Sequence, residues 1–168
     1  MQELFETQKH ISLSEAHNLV LIDTCFFLDE VIHHHEDELI GLAITSFNCE
    51  ELVHVSKHLP GHLKKAVRKF LSEKTITIVD IPVHPGDWTK EKEFVNKIDN
   101  KLLEVIRDPS DAVLLAAALK TRSIVLTKDK HHLFTVALEN HLNNYGLYVF
   151  KDMHSYKRWS LDKHQKSI

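Results

Sequence analysis

The 168-residue sequence is poor in the residues that mark cross-linked, loop-rich or membrane-embedded proteins. Its only cysteines are Cys25 and Cys49, each in an apolar stretch where burial is expected. Two isolated thiols with no CxxC fit a reducing, cytoplasmic setting better than a disulfide framework. Four glycines and four prolines leave no room for long low-complexity or linker tracts. The longest apolar run, AVLLAAAL at 112–119, falls far short of the roughly 20 residues a membrane-spanning helix needs. The opening MQELFETQKH carries charge and has no apolar h-region, so a secretory leader is not expected. Basic charge is also scarce. Against 24 Asp and Glu stand 21 Lys and Arg, a net charge of −3, so bulk electrostatics make no case for a nucleic-acid partner. Any such partner must be met by a local basic rim.

What is present is the balance of a globular protein, 43% apolar and 27% charged. The length suits one domain with a sizeable core. The expected unit is a single domain over 1–168, with its core at about 17–151 and a C-terminal tail at 152–168. Tyr156 and Trp159 give that tail the means to pack as a short helix. Histidine is abundant at 14 copies, with a run at His33, His34 and His35. The run reads either as a metal patch or, more simply, as a solvated helix end.

Short apolar runs alternate with amphipathic segments. Runs at 19–22, 39–44, 75–81, 123–126 and 147–150 read as strands, the first apolar on both faces. Helical patterns fill 25–32, the stretch after Ser46, 60–73, 87–106, 109–120 and 131–144. Asp87 is a cap for one of these, and Asp108-Pro109 is a strong helix start. This alternation predicts an α/β three-layer sandwich around a parallel sheet of four or five strands. Ligands of such sheets bind beyond the carboxyl ends of the strands.

Four acids fall at that edge. Asp23 follows the first strand. Glu51 lies one turn into the helix after the second. Asp111 opens the Ala-rich helix that feeds the fourth strand, and Asp129 follows that strand. Gathered carboxylates repel one another unless a cation neutralises them. All-oxygen ligands favour Mg2+ or Mn2+ over zinc, and a metal so held supports phosphodiester hydrolysis. Thr24 and Thr127 flank two of the acids and are placed to orient a carboxylate or to cap a helix. Arg107, Lys128 and Lys130 are near in sequence, as phosphate clamps or as solvated charge.

The segments VLIDTCFFLD, ITSFNCEEL, DPSDAVLLAAAL and IVLTKDKHHL resemble the PIN-domain nucleases, over roughly 17–151. That family places an Asp after the first strand, a Glu followed by Leu early in a helix, an Asp opening an apolar Ala-rich helix, and an acid in a Thr-x-Asp/Asn turn. These match Asp23, Glu51, Asp111 and Asp129 here. Glu50 adjoins Glu51, but the spacing from Thr45 and the following Leu52 favour Glu51. Asp108 reads as the cap. A further acid that many relatives carry three residues after the turn is His132 here, which weakens a second metal. The resemblance implies a metal-dependent ribonuclease with RNA as substrate, often the toxin partnered by an antitoxin protein, and often a homodimer.

Other readings compete. A haloacid-dehalogenase-type phosphatase wants a second Asp two residues after the first, where this chain has Cys25. A response-regulator receiver wants an acidic pair at the first strand, and none precedes Asp23. A catalytically inactive PIN-like module that binds nucleic acid or protein remains the alternative.

Overall fold

The computed structural model describes residues 1–129 and 135–165. Among these residues, six strands form one sheet in the order β1-β4-β3-β2-β5-β6, and every neighbouring pair is parallel. They are β1 (Lys9–Ser12), β2 (Val20–Ile22), β3 (Ala43–Thr45), β4 (Thr77–Asp80), β5 (Ile124–Leu126) and β6 (Val149–Phe150). The expected α/β three-layer architecture holds, with one strand more than the four or five anticipated. The extra strand is β1, whose KHIS sequence has no apolar run to betray it and which sits at the sheet edge.

Successive side chains of a strand point to opposite faces, and here each face has its own packed layer. Leu21, Ala43, Val79 and Val125 join helices α5 (Trp88–Ile98), α6 (Leu102–Val105), α7 (Pro109–Thr121) and α8 (Val136–Asn143) on one side. Ile22, Ile44, Ile78 and Leu126 join α1 (Gln2–Glu6), α2 (Thr24–Ile32), α4 (Gly61–Glu73) and α9 (Met153–Gln165) on the other. Helix α3 (Ser46–Ser56) contributes Phe47 to the first layer and Leu52 to the second. The tail is the helix α9, with Tyr156 and Trp159 packed on Phe150 of the edge strand β6.

Two boundaries differ from expectation. The run at 39–44 is not one strand: a 3₁₀ turn (Glu36–Leu39) leads to Gly41 at φ +82°, a left-handed conformation suited to glycine, and β3 begins only at Ala43. The long helix expected over 87–106 breaks at Asp99, whose carboxylate accepts the Lys101 N–H and pairs with His141. The start of the helix expected at His131 lies outside the described residues, as do Lys130 and His132. Thr135 caps α8, accepting the Leu138 N–H. No helix among the described residues is long and apolar enough to cross a membrane.

Candidate functional site

The sheet has one point where the connections diverge. After β2 the chain turns toward β3, and after β5 it turns toward β6. Neighbouring strands with connections leaving in opposite directions open a crevice at their carboxyl ends. Asp23 stands at the end of β2 and Asp129 beyond the end of β5, one on each lip.

Asp23 is buried, at 8% exposure, and it caps α2. One carboxylate oxygen accepts the Phe26 N–H and the other accepts the Thr127 hydroxyl. The cap role and a ligand role are compatible, since a carboxylate has about four acceptor sites. Thr127 is fully buried and in turn accepts the Asp129 N–H at 3.0 Å. One threonine therefore couples the two acids across the crevice.

Glu51 is held by a parallel device. Its Oε2 accepts the Thr24 hydroxyl and the Asn48 side-chain amide, both at 2.9 Å. Asn48 is itself fixed by Thr45, the cap of α3. Both threonines thus hold an acid, and Thr24 does so from the first turn of α2. Glu50 turns away and pairs with His84 at 2.7 Å. A cavity of about 620 Å³ on that side takes in Glu50, Cys49, His10 and His84, and none of the four acids.

Asp111 lies in the first turn of α7, behind the cap Asp108, which accepts the Ser110 N–H. The positive ends of α2 and α7 offset some of the repulsion among the acids. Behind Asp111, the fully buried Glu91 bonds Ser110 and the Gly86 N–H, tying α7 to α5.

The electrostatics show how far these groups feel one another. Burial pushes Asp23 up to about 6, against the pull of its hydrogen bonds, and the charge of Asp129 adds to the rise. Burial also raises Glu51, with the charges of Asp23 and Asp111 contributing. The Cys25 thiol rises to about 11, by burial first and then by Asp23, Asp129, Glu51 and Asp111 together. Cys25 as a residue is exposed, contrary to expectation, while its thiol is half-buried among these acids; Cys49 is buried.

The donor set is four carboxylates, which suits a hard divalent cation. Among the described residues, no three His, Cys, Asp or Glu groups form a ready-made metal cage.

Sequence reasoning missed Asn48 and misjudged Lys128. Asn48 is one turn before Glu51 on α3, the i, i+3 relation by which helical neighbours meet. Lys128 is not a freely solvated charge. Its Nζ pairs with Asp29 at 3.1 Å and Glu30 at 3.7 Å and lies 5.3 Å from the Phe26 ring centre. Its backbone N–H reaches Asp23. Lys128 therefore pins the turn carrying Asp129 to α2, the helix that Asp23 caps. Arg107 is exposed. The His33–His35 run forms the end of α2, with His34 at φ +60° and the His35 N–H bonded back to the Glu30 carbonyl.

No protein-family model matches this chain, and no curated protein matches it in sequence. Its fold is similar to that of a chain in the crystal structure of DNA-bound VapBC from Salmonella typhimurium, with a TM-score of 0.51 and 15% identity over 79% of this chain and 96% of that one. The likeness is one of fold, a parallel-sheet sandwich of the PIN-like kind.

Proposed function

We propose that the protein is a Mg2+- or Mn2+-dependent nuclease that hydrolyses phosphodiester bonds, with RNA as its substrate. The observation that carries the reading is the placement of Asp23 and Asp129 on the two lips of the sheet's divergence point, joined through Thr127, with Glu51 held by Thr24 of the helix that Asp23 caps. In this reading the four carboxylates hold the metal. Once bound, the metal supplies Lewis acidity and neutralises charge at the reacting phosphate. Thr127 fixes the Asp23 carboxylate and, through the Asp129 N–H, the turn beside it. Thr24 and Asn48 both bond Glu51 Oε2, which leaves Oε1 for a ligand. The PIN resemblance adds a narrower proposal, that the enzyme is the toxin of a toxin–antitoxin pair and acts as a homodimer. The fold shared with VapBC supports the toxin role.

A second reading has one observation in its favour. The absence of a ready-made cage among the described residues suits a catalytically inactive module of the same fold. One experiment separates the two. Purified wild type and Asp23→Asn are given a mixed RNA pool with Mn2+, with Mg2+ and with EDTA. The nuclease reading expects metal-dependent cleavage by wild type, abolished by EDTA. It also expects the variant to lose several kcal/mol of transition-state stabilisation, on the order of 10²–10³-fold in rate. Equal activity of the two proteins, or cleavage in EDTA, overturns it.

A further inference from the structure

We propose that the outer face of α4 is a docking surface for the phosphodiester backbone of single-stranded RNA. The choice of RNA rests on the nuclease reading. The surface itself rests on separate observations.

Charge is unevenly spread along the chain. Residues 57–74 hold six of the 21 Lys and Arg and only one of the 24 acids, Glu73. Within α4, Lys64, Lys65, Arg68 and Lys69 line one open depression of about 470 Å³, with Leu4, Gly61 and Ser72. None of the four cations is in an ion pair among the described residues, whereas Lys74, just beyond the helix, pairs with Asp37. Like charges four residues apart on a helix repel. Positions 64/68 and 65/69 are two such pairs, so the stripe works against the helix that carries it.

The occupant follows from what the face has and lacks. The apolar side of α4 is spent on the core, through Val67, Phe70 and Leu71. The helix therefore has no apolar face with which to enter a lipid surface. Protein partners are anchored mostly by buried Trp, Tyr and Arg groups, and this depression has no aromatic side chain and a single arginine. A phosphate backbone needs cations alone. Cations one turn apart rise about 6 Å along a helix, a row suited to a chain-like polyanion more than to a single ion.

The position also makes sense. The acidic edge repels a polyanion, and Lys128 beside it is already tied to Asp29 and Glu30. Helix α4 offers attraction from elsewhere. Helix α4 packs on α2, with Phe70 edge-on to Phe27 at 5.5 Å, and α2 is the helix that Asp23 caps.

The test uses fluorescein-labelled single-stranded RNA of mixed sequence, in EDTA so that binding is read without cleavage. Affinity is measured by anisotropy from 50 to 200 mM KCl for wild type, for K64Q/K65Q/R68Q/K69Q, and for a control of equal charge change, K92Q/K97Q/K101Q/K120Q. The control removes exposed lysines associated with the opposite layer. Each phosphate contact on a single strand adds about 0.7 to the slope of log affinity against log salt. Losing four contacts should therefore flatten the slope by roughly three, while the control keeps the wild-type slope. Thermal melts confirm folding, and a single R68Q, expected to flatten the slope by about 0.7, replaces the quadruple variant if that fails to fold. Equal slopes for variant and control overturn the proposal. So does tighter binding of phosphatidylserine vesicles than of RNA. Cleavage of a trinucleotide in Mn2+ reports on the nuclease reading separately. Cleavage with an unchanged slope removes the surface and keeps the nuclease, and a flattened slope without cleavage does the reverse.

Discussion

Two kinds of buried carboxylate coexist in this molecule. Asp99 and Glu30 are buried beside basic side chains: His141 lies 2.6 Å from Asp99, and Lys128 and His35 face Glu30 at 3.7 and 3.5 Å. Asp23 is buried to a similar degree, yet its neighbours are neutral donors and other acids. The first kind is compensated within the fold. The second is left in deficit at the divergence point of the sheet, which is the behaviour of a group kept for a ligand.

The contrast predicts opposite signs. His141→Ala leaves Asp99 buried without its partner and should cost about 3 kcal/mol in urea denaturation. Asp23→Asn should stabilise. Unfolded, Asp23 titrates near its ordinary 3.8; folded, near 6. The folded state holds the proton more tightly, so stability is lost as pH rises from about 4 to about 6 and stays lost above that. The shift corresponds to about 3 kcal/mol at most. Asparagine removes this penalty while keeping the Phe26 cap, because the Thr127 hydroxyl can reverse and accept from the new amide. The gain should appear at pH 7 and vanish at pH 4. A variant less stable than wild type at pH 7 breaks the comparison.

Smaller effects sharpen it. Lys128→Met removes the cation from Asp29 and Glu30 and should cost about 1–2 kcal/mol. It should also weaken Mn2+ binding by calorimetry, since the turn bearing Asp129 loses its anchor, and Lys128→Arg should restore most of both. Glu50→Gln touches only an exposed pair with His84 and should change stability by less than about 1 kcal/mol. Glu51→Gln should suppress cleavage while Glu50→Gln leaves it intact. The reverse result would move the site to the wrong face of α3.

Much of this was legible in the chain itself. The buried strands β2 and β5 are written as VLI and IVL, because a strand covered on both faces has no use for polar residues. The acids could be singled out because Asp23 and Asp129 follow such strands, Glu51 lies early in the helix after another, and Asp111 opens a helix. What was hidden depends on distant partners. The break at Asp99 is set by His141 on another helix, and a continuous apolar stripe ran straight through it. Lys128 looked like a surface cation because the two acids that capture it lie on α2. Strand β1 escaped because an edge strand that is half solvated carries no periodic signal strong enough to read.

That edge strand has a consequence for how the chain is made. Its sole partner among the described residues is β4, in the register Lys9↔Thr77. At typical synthesis rates of about 5–20 residues per second, β4 emerges several seconds after β1. During that interval β1 is made and β4 is not, so the backbone donors and acceptors of β1 stay with water. Its polar sequence, unhelpful as a signal of structure, is what lets it wait without aggregating.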